Sequence, residues 1–403
     1  MSTPATAFDP DAPRDPLRIL FLALGNAGMQ LIAHLPRRVP ELHYAAIDTD
    51  AQALEACKFE NKLLIGEGKT GGLGTGSNPD LARECAEAQD EELVDLLRDM
   101  RVVILVGGLG GGTCGGVGPY LAERARDLGC VVLAAVVRPM EAEGGHRRHA
   151  ADAALAHFRE HCQAVTLFPL DVLREDNDMT LQRLISRCGL EISRALGGLA
   201  VLLRTGWLLP LTIQDIIQVM QRADGYCRLV AVSSDGDDRL PDALDMLFSH
   251  PLIDKGSLLA HSGGVVVGIL CGPKTTVREL ELISAEIRSV LRSDAELKIG
   301  VAQDERFGSH LALVAMVAER WSERAVALEV VNRVAGNEGG DAAGDAENPP
   351  ADPKLVQGEI DLGANANTRG RFKGAEPTIV EGTDLDTPTF IRKGIRLSPQ
   401  TKR

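Results

Sequence analysis

The thirteen residues VGGLGGGTCGGVG at 106–118 include eight glycines, and no other stretch constrains the fold as strongly. Glycine inside a regular element costs about 0.5–1 kcal/mol relative to alanine, because it surrenders more backbone freedom on folding. A chain keeps such a cluster where its backbone must come very close to something. The cluster follows RVVILVGG (101–108), an apolar run that reads as a buried strand. It precedes PYLAERARDLG (119–129), which has helical character and ends in a glycine stop. A strand passing through a glycine-rich turn into a helix aims backbone N–H groups and a helix N-terminus at one point, an arrangement suited to phosphate.

The arrangement occurs again after LRILFLAL (17–24), where Gly25, Asn26 and Gly28 form the turn. A third glycine-rich loop, TGGLGTGSNPD (70–80), lies between the two, with Asn78 and Pro79 suited to a turn before a helix. HYAAID (43–48) and CVVLAAVV (130–137) are further strand candidates. Strands alternating with helical segments predict an α/β fold with a parallel sheet. None of the loops carries the lysine of a P-loop, so phosphate would be held by amides, hydroxyls and a metal ion. ALGNAG, followed twenty residues after Gly28 by Asp48 at a strand end, also suits a Rossmann unit with Asp48 on a ribose. An NAD-dependent oxidoreductase is therefore one reading, and the additional glycine loops count against it.

Apolar side chains at helical spacing over 179–204 predict a long, largely buried helix. Beyond 223 a strand, helix, strand, helix and two more strands predict a second, smaller α/β domain reaching to 320. Aromatic residues are only 3% of the chain against 44% hydrophobic residues overall, so aliphatic side chains and alanine must fill both cores. The stretch 335–383 is acidic, rich in Gly, Ala and Pro and poor in large apolar residues, and is expected to be a disordered linker. Residues 384–403 regain apolar and basic character. Phe390 and Ile391 beside Arg392 and Lys393 suit a docking peptide for a protein partner or an acidic membrane surface.

The leader 1–16 has no basic region followed by an apolar run and is expected to be disordered rather than a signal peptide. Eight cysteines without paired spacing suit free thiols in a reducing cytosol. A net charge of −14 argues against nucleic-acid partners. His146, His149, His157, His161 and Cys162 form a local cluster that could suit zinc, but they read as ordinary helix and surface residues, and no metal site is expected of them.

GLGGGTCGGVGPYLAERARDLG (108–129) resembles the signature loop and following helix of the tubulin/FtsZ superfamily. IDTDAQAL (47–54), GGLGTGSNPDLAR (71–83) and RPMEAEGGHRR (138–148) resemble further nucleotide segments of the family in order and spacing, and DLDTPTFIRK (384–393) resembles its C-terminal peptide. The resemblance implies a Rossmann-like GTP-binding domain over 17–178, a central helix over 179–204, a loop and helix over 205–222 that complete a neighbouring subunit's site, and a C-terminal domain over 223–320. It implies GTP or GDP with Mg2+ as ligands, head-to-tail filaments, and a cytoplasmic role in cell division or membrane remodelling, reached through an adaptor or membrane surface at the tail.

Carried over by position, Gly110, Gly111, Gly112 and Thr113 would cradle phosphates, and Gly25, Asn26 and Gly28 would line the first loop. Gly74, Gly76 and Asn78 would approach the terminal phosphate, and Glu143 and Arg147 would contact ribose and phosphate. Cys114 and Gly115 depart from the signature, which has glycine and then serine or threonine there. WLLPLTIQDIIQVM (207–220) departs from the family's NxDxxD pattern: Pro210 stands at the asparagine, Thr212 at the first aspartate and Asp215 at the second. Asp215 is either the remaining catalytic carboxylate or an N-cap. Loss of a water-orienting acid costs about 10²–10⁴-fold in rate, so slow hydrolysis is expected, with a non-hydrolysing, non-polymerising scaffold as the alternative. Leu170 and Leu190 fall where the family reads guanine with polar side chains, and Asp171 and Glu191 are possible substitutes.

Overall fold

The computed structural model describes residues 17–174, 178–204, 207–221 and 226–319, together with the backbone of 379–380 and 383–384. Strands β1 (Ile19–Leu24), β2 (His43–Asp48), β3 (Asn61–Leu64), β4 (Val102–Gly108), β5 (Val131–Arg138) and β6 (Ala164–Pro169) precede a long central helix. Strands β7 (Trp207–Leu209), β8 (Tyr226–Ser234), β9 (Gly264–Cys271), β10 (Glu296–Gln303) and β11 (Leu311–Ala318) follow it. All eleven belong to one sheet, ordered β3-β2-β1-β4-β5-β6-β8-β11-β9-β10-β7.

Strands β1 to β6 run parallel. Helices α1 (Gly25–Leu31), α2 (Pro79–Ala88), α3 (Gly118–Asp127) and α4 (Gly145–His161) lie within this half of the chain. A parallel sheet buried on both faces needs unbroken apolar strands, which is why ILFLAL and VVILVGG lack polar alternation. Every residue of β1 is buried. Leu24 pairs with Gly107, and Ile47 pairs with Leu24, so the carboxyl ends of β1, β2 and β4 lie side by side. Ligands of open α/β sheets bind at such carboxyl ends. The register therefore delivers the loops after these strands to one edge before any side chain is considered.

The segments 17–178 and 223–320 share this sheet. Strand β6 meets β8 through only two residue pairs, Val165 with Tyr226 and Thr166 with Cys227. The Arg228 guanidinium donates to the Leu167 carbonyl at 2.7 Å, adding a polar tie across the join. The predicted central helix is α5 (Leu181–Arg204), and it bridges the two halves. Ser193 donates to the Leu31 carbonyl of α1 at 3.3 Å. At the far end Leu202 fills the space over β9, where a Cβ on Gly268 would come within 2.0 Å of its Cδ1. One contiguous apolar core consequently runs along α5 from β1 to β11.

The structure adds β3, β6 and β7 to the strands named from the sequence. Strand β6 is interior, whereas β3 and β7 are short and sit at opposite edges of the sheet, where pairing with one neighbour replaces strong apolar patterning. Strand β7 opens the segment 205–222 and pairs antiparallel with β10, ahead of helix α6 (Ile213–Gln221). Ile379–Val380 and Thr383–Asp384 pair antiparallel with each other. The expected leader, the rest of the linker and the docking peptide lie outside the described residues. Among the described residues, no helix is long and apolar enough to cross a membrane.

Leu202 is 1% exposed. Truncating it in Leu202→Ala should cost about 2–5 kcal/mol of unfolding free energy, through lost burial and the cavity left over β9. Urea denaturation followed by circular dichroism measures this, and a loss under about 0.5 kcal/mol would contradict the bridging role of α5.

Candidate functional site

Strand β4 ends at Gly108, and the Leu109 amide donates to the Val137 carbonyl of β5 at 2.9 Å, which folds the loop back over the strand ends. Gly110 has φ +86°, and a Cβ there would lie 2.8 Å from the Arg147 carbonyl oxygen, so both conformation and space require glycine. The chain then enters a π-helical turn, Thr113–Val117, that continues into α3. Gly116 packs this turn against α2, where a Cβ would sit 2.0 Å from the Pro79 carbonyl oxygen. Gly112 meets Thr75 and Asn78 of the third loop, and Gly28 meets the Val106 carbonyl, at comparably short range.

Much of the glycine density therefore serves contact between the protein's own loops. This corrects the expectation that the cluster is bare chiefly for a ligand. Gly111 is different: its nearest neighbour to an added Cβ is 3.8 Å away, and it borders open space.

A buried polar tie holds the loops together. Thr113 donates its hydroxyl proton to Asp48 at 2.8 Å, and its oxygen lies 3.1 Å from the Thr49 hydroxyl. The Thr49 amide donates to the same Asp48 oxygen at 2.7 Å. Burial pushes the Asp48 carboxyl above the usual carboxylate range, and the Thr113 and Thr49 bonds pull it back part of the way. Two expectations change here. The Thr113 hydroxyl proton, expected on a phosphate, goes inward to Asp48. Asp48, expected on a ribose, is 4% exposed and accepts both bonds inside the protein on one oxygen, which leaves the oxidoreductase reading without an exposed acid at this strand end.

The Gly74 amide donates to the Thr49 carbonyl at 3.0 Å, tying the third loop to the same point. Gly74 and Gly76 take positive φ of 77° and 60°. The Asn78 side chain accepts from the Asp80 and Leu81 amides at 3.0 and 3.1 Å, so its oxygen caps α2 rather than facing a ligand. Gly25 lies against Thr113, completing the convergence of the three loops.

Beside them opens a cavity of about 450 Å³, floored by Gly108, Leu109 and Gly111. Asn26 lines it, as do Glu143 and Arg147, the two residues expected on ribose and phosphate. Arg147 donates to Glu143 at 2.7 Å, and the other Glu143 oxygen accepts from the Met140 amide at 2.9 Å. One wall is apolar: Met140, Leu170, Leu181 and Ile185. Gly25, Gly28, Gly74, Gly76, Gly110, Gly112 and Thr113 build the loops without lining this cavity.

Leu170 lines the cavity as expected of its position, but Leu190 does not; Leu181 and Ile185, more than a turn earlier on α5, take that place. Asp171 and Glu191 are likewise absent from the lining. Glu191 is held by Arg194 at 3.2 Å and His250 at 3.7 Å. Burial opposes its charge, yet these two partners keep its carboxyl below the usual range. Gln30 and Arg138 also line the cavity. Arg138 was findable, since it ends a parallel strand at the ligand-binding edge.

Asp215 forms a reciprocal cap at the start of α6. Its carboxylate accepts from the Thr212 hydroxyl at 2.6 Å and the Thr212 amide at 2.9 Å, while its own amide donates back at 3.2 Å. Lys298 lies 3.4 Å from the second oxygen. The Thr212 hydrogen bond, with help from Lys298, holds the carboxyl below the usual range. Thr212 is therefore the N-cap of α6, and Asp215, read from the sequence as a catalytic acid or an N-cap, sits at the third helical position and closes a capping box with it.

Asp50 accepts from the amides of Gln52 at 2.9 Å and Ala53 at 3.2 Å. Asp48 and Asp50 thus each spend one carboxylate oxygen on holding their loops. Among the described residues, no group of three or more His, Cys, Asp or Glu side chains could hold a metal ion, including the histidines of α4.

Residues 18–178 match the model of the tubulin/FtsZ family GTPase domain. The chain is 30% identical to the cell division protein FtsZ of Buchnera aphidicola subsp. Schizaphis graminum, over 71% of this chain and 75% of the relative. It is 26% identical to the cell division protein FtsZ of Wigglesworthia glossinidia brevipalpis, over 93% and 96% respectively. Among solved structures, an empty FtsZ dimer from M. jannaschii is similar, with a TM-score of 0.67 and 28% identity, covering 75% of this chain and 88% of that one.

The buried tie makes a pH-dependent prediction. Thr113→Val keeps the side-chain shape but removes the proton donor from Asp48, leaving a buried carboxylate one bond short at a cost of about 1–3 kcal/mol. Because the folded-state pKa of Asp48 is raised, its ionisation opposes folding, and that opposition appears as pH rises through the raised value. The variant's deficit should therefore be full at neutral pH and shrink as Asp48 protonates on acidification. Urea midpoints across pH read this, and a pH-independent deficit would count against the tie.

Proposed function

Because this chain belongs to the tubulin/FtsZ family, we propose that it is a GTP-binding cytoskeletal protein that assembles head to tail and hydrolyses nucleotide slowly. The observation that carries the reading is the cavity at the strand ends, lined by Gly108 and Gly111 and walled by Glu143 and Arg147. Glycine main chain with no side chain in front of it, beside a guanidinium, suits an anionic phosphate chain. The apolar wall of Met140, Leu170, Leu181 and Ile185 suits the flat faces of a base.

That wall also bears on selectivity. Its side chains cannot hydrogen-bond a base edge, so any reading of guanine against adenine would fall to the polar side chains of the same cavity, Asn26, Gln30 and Arg138. Glu143 keeps the arginine oriented and accepts hydroxyl protons, a role compatible with a ribose. Mg2+, when bound, would neutralise phosphate charge.

A head-to-tail contact between copies is heterologous and generates a filament when its rotation does not close. In such a filament Thr212 and Asp215 of one copy face the nucleotide of the next. Asp215 is committed to its cap and to Lys298, and Thr212 offers no carboxylate, which supports slow turnover. The same observation favours a second reading, a nucleotide-bound scaffold without hydrolysis. The tail peptide around Phe390 and Arg392 would attach the assembly to a partner or an acidic membrane in cell division or membrane remodelling.

Sedimentation with GTP, alongside phosphate release, tests the two readings: pelleting with slow release supports the first, and retention of nucleotide without pelleting or release supports the second. Loss of all nucleotide affinity would overturn both. Arg147→Ala should weaken GTP binding by about tenfold, the loss of one charge-assisted contact, as measured by calorimetry. Thr212→Asp restores the missing carboxylate in a position where aspartate also caps a helix, and should raise phosphate release by about tenfold or more if the first reading holds.

A further inference from the structure

Asn26 and Gln30, which line the nucleotide cavity, also line a second cavity of about 490 Å³. The two side chains are joined by a 3.0 Å hydrogen bond and stand as a shared wall. The second cavity lies among α1, the short helix Leu35–Arg38 and the helix Ala51–Ala56, with the chain that follows to Phe59. Its interior is apolar: Met29 and Phe59 are buried, and Ala53 and Ala56 present only methyl groups.

Its rim is cationic. His34, Arg37 and Lys58 line it, all three exposed, and no acidic side chain does. No carboxylate among the described residues pairs with any of the three. In a chain of net charge −14, an arginine and a lysine without acidic partners stand with an imidazole around one apolar recess, whereas Arg18, Lys69, Arg83, Arg98, Arg124, Arg138, Arg147 and Arg148 of this half pair with carboxylates. Each exposed charge alone is weak in water, but charges converging on a low-dielectric recess concentrate anions there.

We propose that this recess is a second ligand site, separate from the nucleotide cavity, that takes a small molecule with an apolar body and one anionic group. The apolar body lies against Met29 and Phe59, and the carboxylate, sulfonate or phosphate meets Arg37 and Lys58. A recess of this volume accommodates a ligand of drug-like size. Hydrophobic contact and charge pairing are both needed, which excludes bare inorganic anions and neutral apolar molecules as strong occupants.

Cys57 provides a local reporter. It lines the recess and is half-buried, whereas the other seven cysteines are buried. Burial also pushes those seven thiols above their ordinary range, which slows their alkylation. N-ethylmaleimide on the full chain should therefore modify Cys57 first, as read by mass spectrometry.

Anilinonaphthalene sulfonate, an aromatic monoanion, serves as the probe. It should slow Cys57 alkylation saturably, equally well with GTP in excess, and the concentration needed should rise about tenfold in the exposed-surface double variant Arg37→Ser, Lys58→Ser. Protection absent at saturating probe, protection unchanged in the double variant, or protection abolished by GTP would each overturn the proposal, the last by placing the probe in the nucleotide cavity. Calorimetry of GTP with the same preparations reports the nucleotide site independently, so failure of one site is distinguishable from failure of the other.

Discussion

The hydrogen bond from Thr113 to the buried carboxylate of Asp48 joins the loop after β4 to the loop after β2, and the geometry of the candidate site depends on it. A carboxylate removed from water is tolerable only when its oxygens are satisfied, so Thr113 and the Thr49 amide are held to it by the cost of leaving it bare. Thr49 in turn accepts the Gly74 amide, which brings in the third loop. Three separate pieces of backbone are thereby fixed through a few atoms.

The glycines make this approach possible. Side chains at 112 or 116 would push α2 and the third loop away, and the tie at Thr113 could not form with the loops apart. The cluster is thus a packing device first, and its exposed floor at Gly111 is a consequence of loops that have come together. Arg147 belongs to the same arrangement, since its carbonyl oxygen lies against Gly110 while its guanidinium turns to Glu143 at the cavity.

The segment around α6 follows the same physics with the opposite outcome. At α6 a carboxylate that could face outward is instead held by a hydroxyl, an amide and an ammonium group. An acid bound this way stabilises its helix and is poorly placed to orient a water molecule. Pro210 and Thr212 remove two of the three polar side chains of the family pattern, and the third has become structural.

The sequence alone determined the parallel strands β1, β2, β4 and β5, because double-sided burial demands apolar runs that are legible without coordinates. It also determined the central helix, through apolar spacing. Tertiary structure decided the rest. That Asp48 turns inward, that Asn78 and Asp215 act as caps, and that Leu181 and Ile185 rather than Leu190 form the cavity wall depend on which way each side chain faces once distant segments meet. The one continuous sheet depends on just two residue pairs between β6 and β8, which no local pattern announces. Local sequence encodes how a segment buries its own apolar face, whereas the partner of a polar atom is settled only by what the whole chain places beside it.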